Sequence, residues 1–253
     1  MKVVCIGSGN VATHLARGLK SAGHEIIQVW SRLPEHAEIL AEELNAQAVT
    51  DLAELDVTAE LYVIAVKDDA IPSVSASLKD IQGMVVHTSG ATPMQVLEQN
   101  SHHGVFYPLQ TFSKSRAIDF SRVPVCLEAN SVETLTKLKK IAKELGSPVY
   151  EVDSERRKLL HLSAVFVCNF VNHLYTLGNE LLEQHELDFD MLKPLIMETA
   201  EKVQVALPVN VQTGPAVRHD ETTIFNHLEL LGRNPQLREI YQTLSKSIKK
   251  THQ

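Results

Sequence analysis

From residue 1 to residue 153, short β-branched runs alternate with stretches whose apolar positions recur every three or four residues. The runs Val3–Ile6, Glu25–Trp30, Leu61–Val66, Met84–His87, Gly104–Tyr107, Pro124–Glu128 and Val149–Val152 predict strands. Between them Val11–Ala22, Pro34–Leu44, Ile71–Leu78 and Val132–Leu145 predict helices. Nearly continuous apolar strands separated by helices imply a mostly parallel sheet covered on both faces. After Asp153 the pattern turns wholly helical: one long helix over Ser154–His185, a second over Asp190–Leu207, a polar loop over Pro208–Asp220, then helices over Glu221–Leu231 and Pro235–Lys249. The expected fold class is therefore α/β. A doubly wound Rossmann domain spans residues 1–153, and an all-α domain for substrate and dimerisation spans residues 154–253.

Composition narrows this picture. A chain of 253 residues with 44% hydrophobic content can bury a core without disulfides or a structural metal. Its net charge of −7 argues against a general nucleic-acid or anionic-membrane surface. Cys5, Cys126 and Cys168 lie far apart in apolar surroundings, which suits buried thiols in a reducing compartment. The apolar stretch from Leu160 to Val171 is interrupted by His161, Ser163 and Asn169 and is too short to span a bilayer. The N-terminus runs straight into a strand without the pattern of a signal peptide, so a cytoplasmic location is expected. The chain has 12 histidines, but none shows metal-ligand spacing, and no metal is expected.

The first strand is followed by Gly7-Ser8-Gly9-Asn10-Val11-Ala12 at the opening of a helix. In this pattern Gly7 permits a tight turn, Gly9 lets the backbone approach a pyrophosphate, and Ala12 lets the helix pack closely on the sheet. The helix N-terminus then offers free N–H groups to the phosphates. The second strand ends in Trp30-Ser31-Arg32, with no carboxylate before Glu35. A cation without an acid at this point favours NADP(H) over NAD(H), with Arg32 and Ser31 meeting the 2′-phosphate. Alternatively, Arg32 is a solvated loop residue. The expected cofactor residues are Gly7, Ser8, Gly9, Asn10, Val11, Ser31 and Arg32, with Val66 and Lys67 after a later strand.

Ligands of open α/β sheets lie beyond the carboxyl ends of the strands. There His87 and Ser89 follow one strand, and Gln110 and Thr111 another. His87 suits proton transfer by its ordinary pKa, unless it is a strand-end histidine satisfied by backbone. On an uninterrupted helix His161, Asn172 and Asn179 share one stripe, with Asn169 nearby. The stripe lines either an interdomain cleft, making His161 a second acid–base candidate, or a subunit interface. Gln212 and Arg218 occupy the polar loop, where Arg218 suits a substrate anion and Asp220 a helix cap.

These residues, with His87-Thr88-Ser89-Gly90, Tyr107-Pro108-Leu109-Gln110-Thr111-Phe112, Asn169-Phe170-Val171-Asn172-His173 and Gln212-Thr213-Gly214-Pro215-Ala216, resemble a bacterial family that joins a Rossmann-like domain to a domain of unknown function (DUF2520). More broadly, the chain resembles the superfamily of 6-phosphogluconate dehydrogenase, the 3-hydroxyacid dehydrogenases and pyrroline-5-carboxylate reductase. The resemblance implies a homodimer joined through the helical domains and an NADP(H)-dependent oxidoreductase acting on a small carbonyl or imine in an interdomain cleft. Two alternatives stand beside it, an imine reductase of the pyrroline-5-carboxylate type and a non-catalytic NADP-binding sensor or scaffold. The lysine that hydroxyacid dehydrogenases carry before an asparagine of the long helix is absent, since Phe166, Val167, Cys168 and Asn169 stand ahead of Asn172.

Overall fold

In the computed structural model, which describes residues 1–78, 80–232 and 234–252, Val3, Val4, Cys5 and Ile6 are all buried. They belong to β1 (Lys2–Ile6), at the middle of an eight-stranded sheet. The other strands are β2 (Glu25–Trp30), β3 (Gln47–Val49), β4 (Leu61–Ile64), β5 (Met84–His87), β6 (His103–Pro108), β7 (Val125–Ala129) and β8 (Val149–Glu151), in the order β3-β2-β1-β4-β5-β6-β7-β8. All pairs are parallel except β6 with β7.

Alternation along β1 divides the core into two layers. Val3 and Cys5 pack with Leu15 and Leu19 of α1 (Asn10–Ser21), Leu40 of α2 (Pro34–Leu44) and, further along the sheet, Leu138 of α4 (Val132–Glu144). Val4 and Ile6 pack on the other face with Val74 of α3 (Ile71–Ser77) and with Leu97. Each such side chain contributes about 1.5–3 kcal/mol on full burial, so a one-residue slip of β1 is strongly disfavoured. The expected α/β class is observed.

Two features escaped the pattern. β3 has three residues, only one of them buried, too few to show an alternation. The expected long helix is also interrupted. α5 (Ser154–Ala164) passes through a π-helical stretch, Val165–Phe170, into α6 (Val171–Glu183). A wider π turn breaks the 100°-per-residue register, so the expected stripe joining His161 to Asn172 and Asn179 does not hold across it.

The chain forms two compact units that divide at Asn169/Phe170. The change of pattern at residue 153 marks the end of the sheet, whereas α5 stays with the first unit because its N-terminal turn is bonded to it. The second unit is helical, with α6 followed by α7 (Lys193–Val205), α8 (Pro208–Val211), α9 (Glu221–Leu230) and α10 (Pro235–Thr251). Asp220 caps α9, its carboxylate accepting from the amide and the hydroxyl of Thr223 at 3.0 and 2.7 Å. Among the described residues no helix is long and apolar enough to cross a membrane.

Candidate functional site

The carboxyl ends of β1, β2, β4, β5 and β6 border a cleft of about 850 Å³ in the first unit. At one end lies the glycine turn. Gly7 has φ of +129°, and a Cβ there would stand 2.2 Å from the carbonyl oxygen of Ala65. The turn thus needs glycine for its own conformation. Gly9 differs, since a Cβ there would meet no protein atom within 4 Å and would occupy the cleft. Gly9 is the N-cap of α1, whose first turn has neither a side-chain cap nor an acidic residue. Uncapped amides at a helix N-terminus beside an open glycine fit a bound pyrophosphate.

All nine residues expected to hold the cofactor line this cleft: Gly7, Ser8, Gly9, Asn10, Val11, Ser31, Arg32, Val66 and Lys67. Their side chains do different things. The Ser8 hydroxyl donates to Ser31 Oγ at 3.0 Å, which ties the glycine turn to the loop after β2. The Asn10 amide donates to the Phe112 carbonyl at 2.9 Å, and His14 Nε2 donates to the Ser113 carbonyl at 2.8 Å. These bonds fasten the loop after β6 across the start of α1. Arg32 is exposed at the rim and has no hydrogen bond or ion pair among the described residues. His36, on the first turns of α2, lines the same end of the cleft.

At the other end Tyr107, in β6, faces His161, in α5. Tyr107 Oη lies 3.0 Å from His161 Nδ1, and the rings meet edge to face with centroids 6.0 Å apart. Burial first, and Cys126 next, push the Tyr107 phenol up to about 12, against a downward pull from Arg157. The phenol therefore keeps its proton, and its oxygen shares one hydrogen bond with Nδ1 whose direction follows the His161 tautomer. Gly90 makes this packing possible, because a Cβ there would stand 2.7 Å from Cγ and Nδ1 of His161. Ser89 also lines the cleft, and its Oγ accepts from the amides of Ala91 and Thr92 at 3.1 and 2.9 Å. Its own proton is left to donate.

His87 corrects an expectation. Its ring is wholly buried and lies behind the cleft wall, with Nδ1 accepting from the Ser89 amide at 3.2 Å. Burial first, and the Arg157 charge second, lower it to about 3, against a small upward pull from the Pro93 backbone. A ring so buried cannot exchange protons with a ligand, so the acid–base role expected of His87 does not fit. Gln110 lines the cleft, but Thr111 does not, and the Thr111 amide donates to Gln110 Oε1 at 2.8 Å. Asn169 is exposed in the π stretch and does not line the cleft. Asn172, Gln212 and Arg218 are exposed residues of the second unit, and Gln212 Nε2 donates to the Thr213 carbonyl at 3.1 Å. Sequence reasoning passed over Tyr107 as a chemical group, and with it the cleft residue His36. The one visible signal for Tyr107 was a polar ring at the end of an otherwise apolar strand, just before Pro108. Among the described residues no three His, Cys, Asp or Glu side chains gather as a metal would require.

Residues 2–88 match the family model described as NADP oxidoreductase coenzyme F420-dependent, and residues 123–248 match the domain of unknown function DUF2520. No curated protein matches the chain. The Bacteroides fragilis protein BF3122, provisionally described as an NADP oxidoreductase, is 47% identical over 98% of both chains, with a TM-score of 0.94. The Thermotoga maritima protein TM1727 is 22% identical over 100% of this chain and 98% of its own, with a TM-score of 0.74. A pyrroline-5-carboxylate reductase of Streptococcus pyogenes is 16% identical over 99% of this chain and 98% of its own, with a TM-score of 0.62. The last two show a shared fold. With an N-terminal dinucleotide cradle, a C-terminal DUF2520 segment and a near-full-length relative at 47% identity, the chain belongs to the family of oxidoreductase-type proteins that join a Rossmann domain to DUF2520.

Proposed function

We propose that this protein is an oxidoreductase that binds NADP(H) in preference to NAD(H) and acts on a small carbonyl or imine compound held against His161. The observation that carries this reading is the Tyr107–His161 pair in the same cleft as the open glycine cradle. Gly9 and the uncapped amides of α1 would hold the pyrophosphate. Arg32, exposed at the rim and followed by no carboxylate before Glu35 in the chain, suits a 2′-phosphate. Bound in this way, the nicotinamide would supply or accept a hydride. His161 as the imidazolium would give its Nε2 proton to the substrate oxygen or nitrogen, and in the reverse direction the neutral ring, its Nδ1–H held by Tyr107 Oη, would take that proton at a free Nε2. The Ser89 hydroxyl orients the same atom. Titration with both cofactors, followed by a panel of carbonyl and imine compounds assayed for NADPH consumption, tests the reading. Tighter NADPH binding and turnover that is lost in His161→Gln are expected. Equal affinity for both cofactors would remove the role of Arg32, and a silent panel would favour the non-catalytic alternative.

We also propose a homodimer joined through the second unit. Among its described residues only Ala216, Ile224 and Leu237 are buried, while Leu174, Met191, Leu195, Met197, Phe225 and Leu230 are exposed. A helical unit with so little core of its own gains from a second copy that covers these faces. Sedimentation at micromolar concentration checks this, and a monomer there would refute it.

A further inference from the structure

Arg157 lies one helical turn before His161 on α5 and is wholly buried. Its guanidinium is ion-paired with the Glu128 carboxylate and donates to the Thr92 carbonyl at 2.6 Å and to Ser154 Oγ at 3.2 Å. Ser154 Oγ in turn accepts the Met94 amide at 3.0 Å and donates to Glu128 at 2.8 Å. Residues 89–94 are therefore fastened to α5 at Thr92 and at Met94. The same segment carries Gly90, packed against the imidazole of His161, and Ser89, which lines the cleft.

Burying an arginine is costly, and a carboxylate partner seldom returns more than that cost. An apolar pair of similar volume would hold α5 to the sheet as stably. What an apolar pair lacks is a rigid fork able to grip a carbonyl on one segment and a carboxylate on another at fixed angles. The charge also reaches the site, since Arg157 pulls the Tyr107 phenol and the His87 ring downward.

We propose that Arg157, locked by Glu128, is a positioning residue that holds residues 89–94 against α5 and thereby fixes the place and tautomer of His161 opposite Tyr107. This rests on the proton-transfer role proposed for His161. The test reads the ring and no turnover, so the two ideas fail separately. In full-length protein labelled with ¹⁵N-histidine, the His161 nitrogens are assigned by their loss in His161→Gln. The wild type is expected to show a single tautomer. The paired variant Arg157→Met/Glu128→Leu, which leaves no unpaired charge, is expected to melt near the wild type while its His161 signals move to values averaged over both tautomers. Arg157→Lys keeps the charge but not the fork, and the same averaging is expected. Wild-type signals in the paired variant would overturn the proposal, as would wild-type signals in Arg157→Lys. If the paired variant does not fold, Ser154→Ala carries the test. It removes the hydroxyl shared by Met94, Glu128 and Arg157, and wild-type signals there would likewise refute the idea.

Discussion

Gly7 and Gly9 lie two residues apart, and alanine at each separates a demand of the fold from a demand of the ligand. At Gly7 the added methyl meets φ of +129° and the Ala65 carbonyl oxygen at 2.2 Å. A non-glycine residue in such backbone costs about 1–3 kcal/mol. The backbone overlap adds to this, so a loss of roughly 3 kcal/mol or more is expected. A chain of this size loses about 2–4 °C of Tm per kcal/mol, which predicts a fall of at least roughly 6 °C. At Gly9 the backbone, with φ −74° and ψ −174°, is open to alanine. Alanine is the poorer N-cap by about 0.5–1 kcal/mol, but it loses less chain entropy on folding by about 0.4–1 kcal/mol. The two nearly cancel, so Tm should hold. The methyl would instead stand where the pyrophosphate needs the amides. Loss of one charge-assisted bond costs about 1.5–3 kcal/mol, which is roughly tenfold to a hundredfold in Kd. Fluorescence titration with NADPH and thermal melting on the same samples read both effects. Wild-type NADPH affinity in Gly9→Ala would refute the placement of the phosphates, and wild-type melting in Gly7→Ala would refute the steric reasoning.

Arg32→Ala should weaken NADPH by about tenfold or more while leaving NADH unchanged. Calorimetry with each cofactor checks this, and parallel losses would show that Arg32 does not read the 2′-phosphate. Tyr107→Phe should lower kcat on any substrate found by roughly a hundredfold with little change in KM, and a kcat like the wild type would remove Tyr107 from proton transfer. Burial holds the folded His87 ring down to about 3, against an ordinary value of 6.5. As pH falls below 6.5 the unfolded chain takes up a proton that the folded chain refuses, so stability declines from there toward pH 3 and is unaffected above. Between pH 6.5 and about 4.5 the loss amounts to roughly 2–3 kcal/mol. His87→Asn, which keeps an acceptor for the Ser89 amide, should flatten that acid limb in urea titrations, and an unchanged limb would place the sensitivity elsewhere.

The Rossmann half was legible because each of its signals is local. Buried parallel strands read as apolar runs, α1 and α2 have regular periods, and the glycine turn falls where β1 meets α1. The cradle residues follow directly, since Gly7 to Val11 are contiguous. His87 was misjudged for a physical reason. Position at the end of β5 brings a residue to the cleft edge, but His87 is the last residue of the buried strand and its ring stays in the interior, while Ser89 lies beyond the strand in the turn that lines the cleft. The His161 stripe failed because nothing in Val165–Phe170 distinguishes a π turn from the α-helix on either side. Arg157 was invisible because Glu128 and Thr92, 29 and 65 residues away in the chain, are brought to it only by tertiary packing.

On the proposed reading, the sheet order would limit what this site accepts. From β1, where the phosphates would sit, to β6, which carries Tyr107, the order runs through β4 and β5. Three strand spacings of about 4.8 Å put these ends ~14 Å apart across the sheet. A nicotinamide nucleotide extending from the cradle would fill much of that span, and His161 would stand at its far end. The remaining space suits a compact molecule whose reacting atom lies within one hydrogen bond of Nε2. The loop pinned by Asn10 and His14 brings Phe112 into the cleft lining beside the first turns of α1. The bonds that hold this loop come from α1, the helix whose amides would meet the phosphates. On the proposed reading, cofactor binding and the position of this cleft wall would thus be joined through the first turns of one helix.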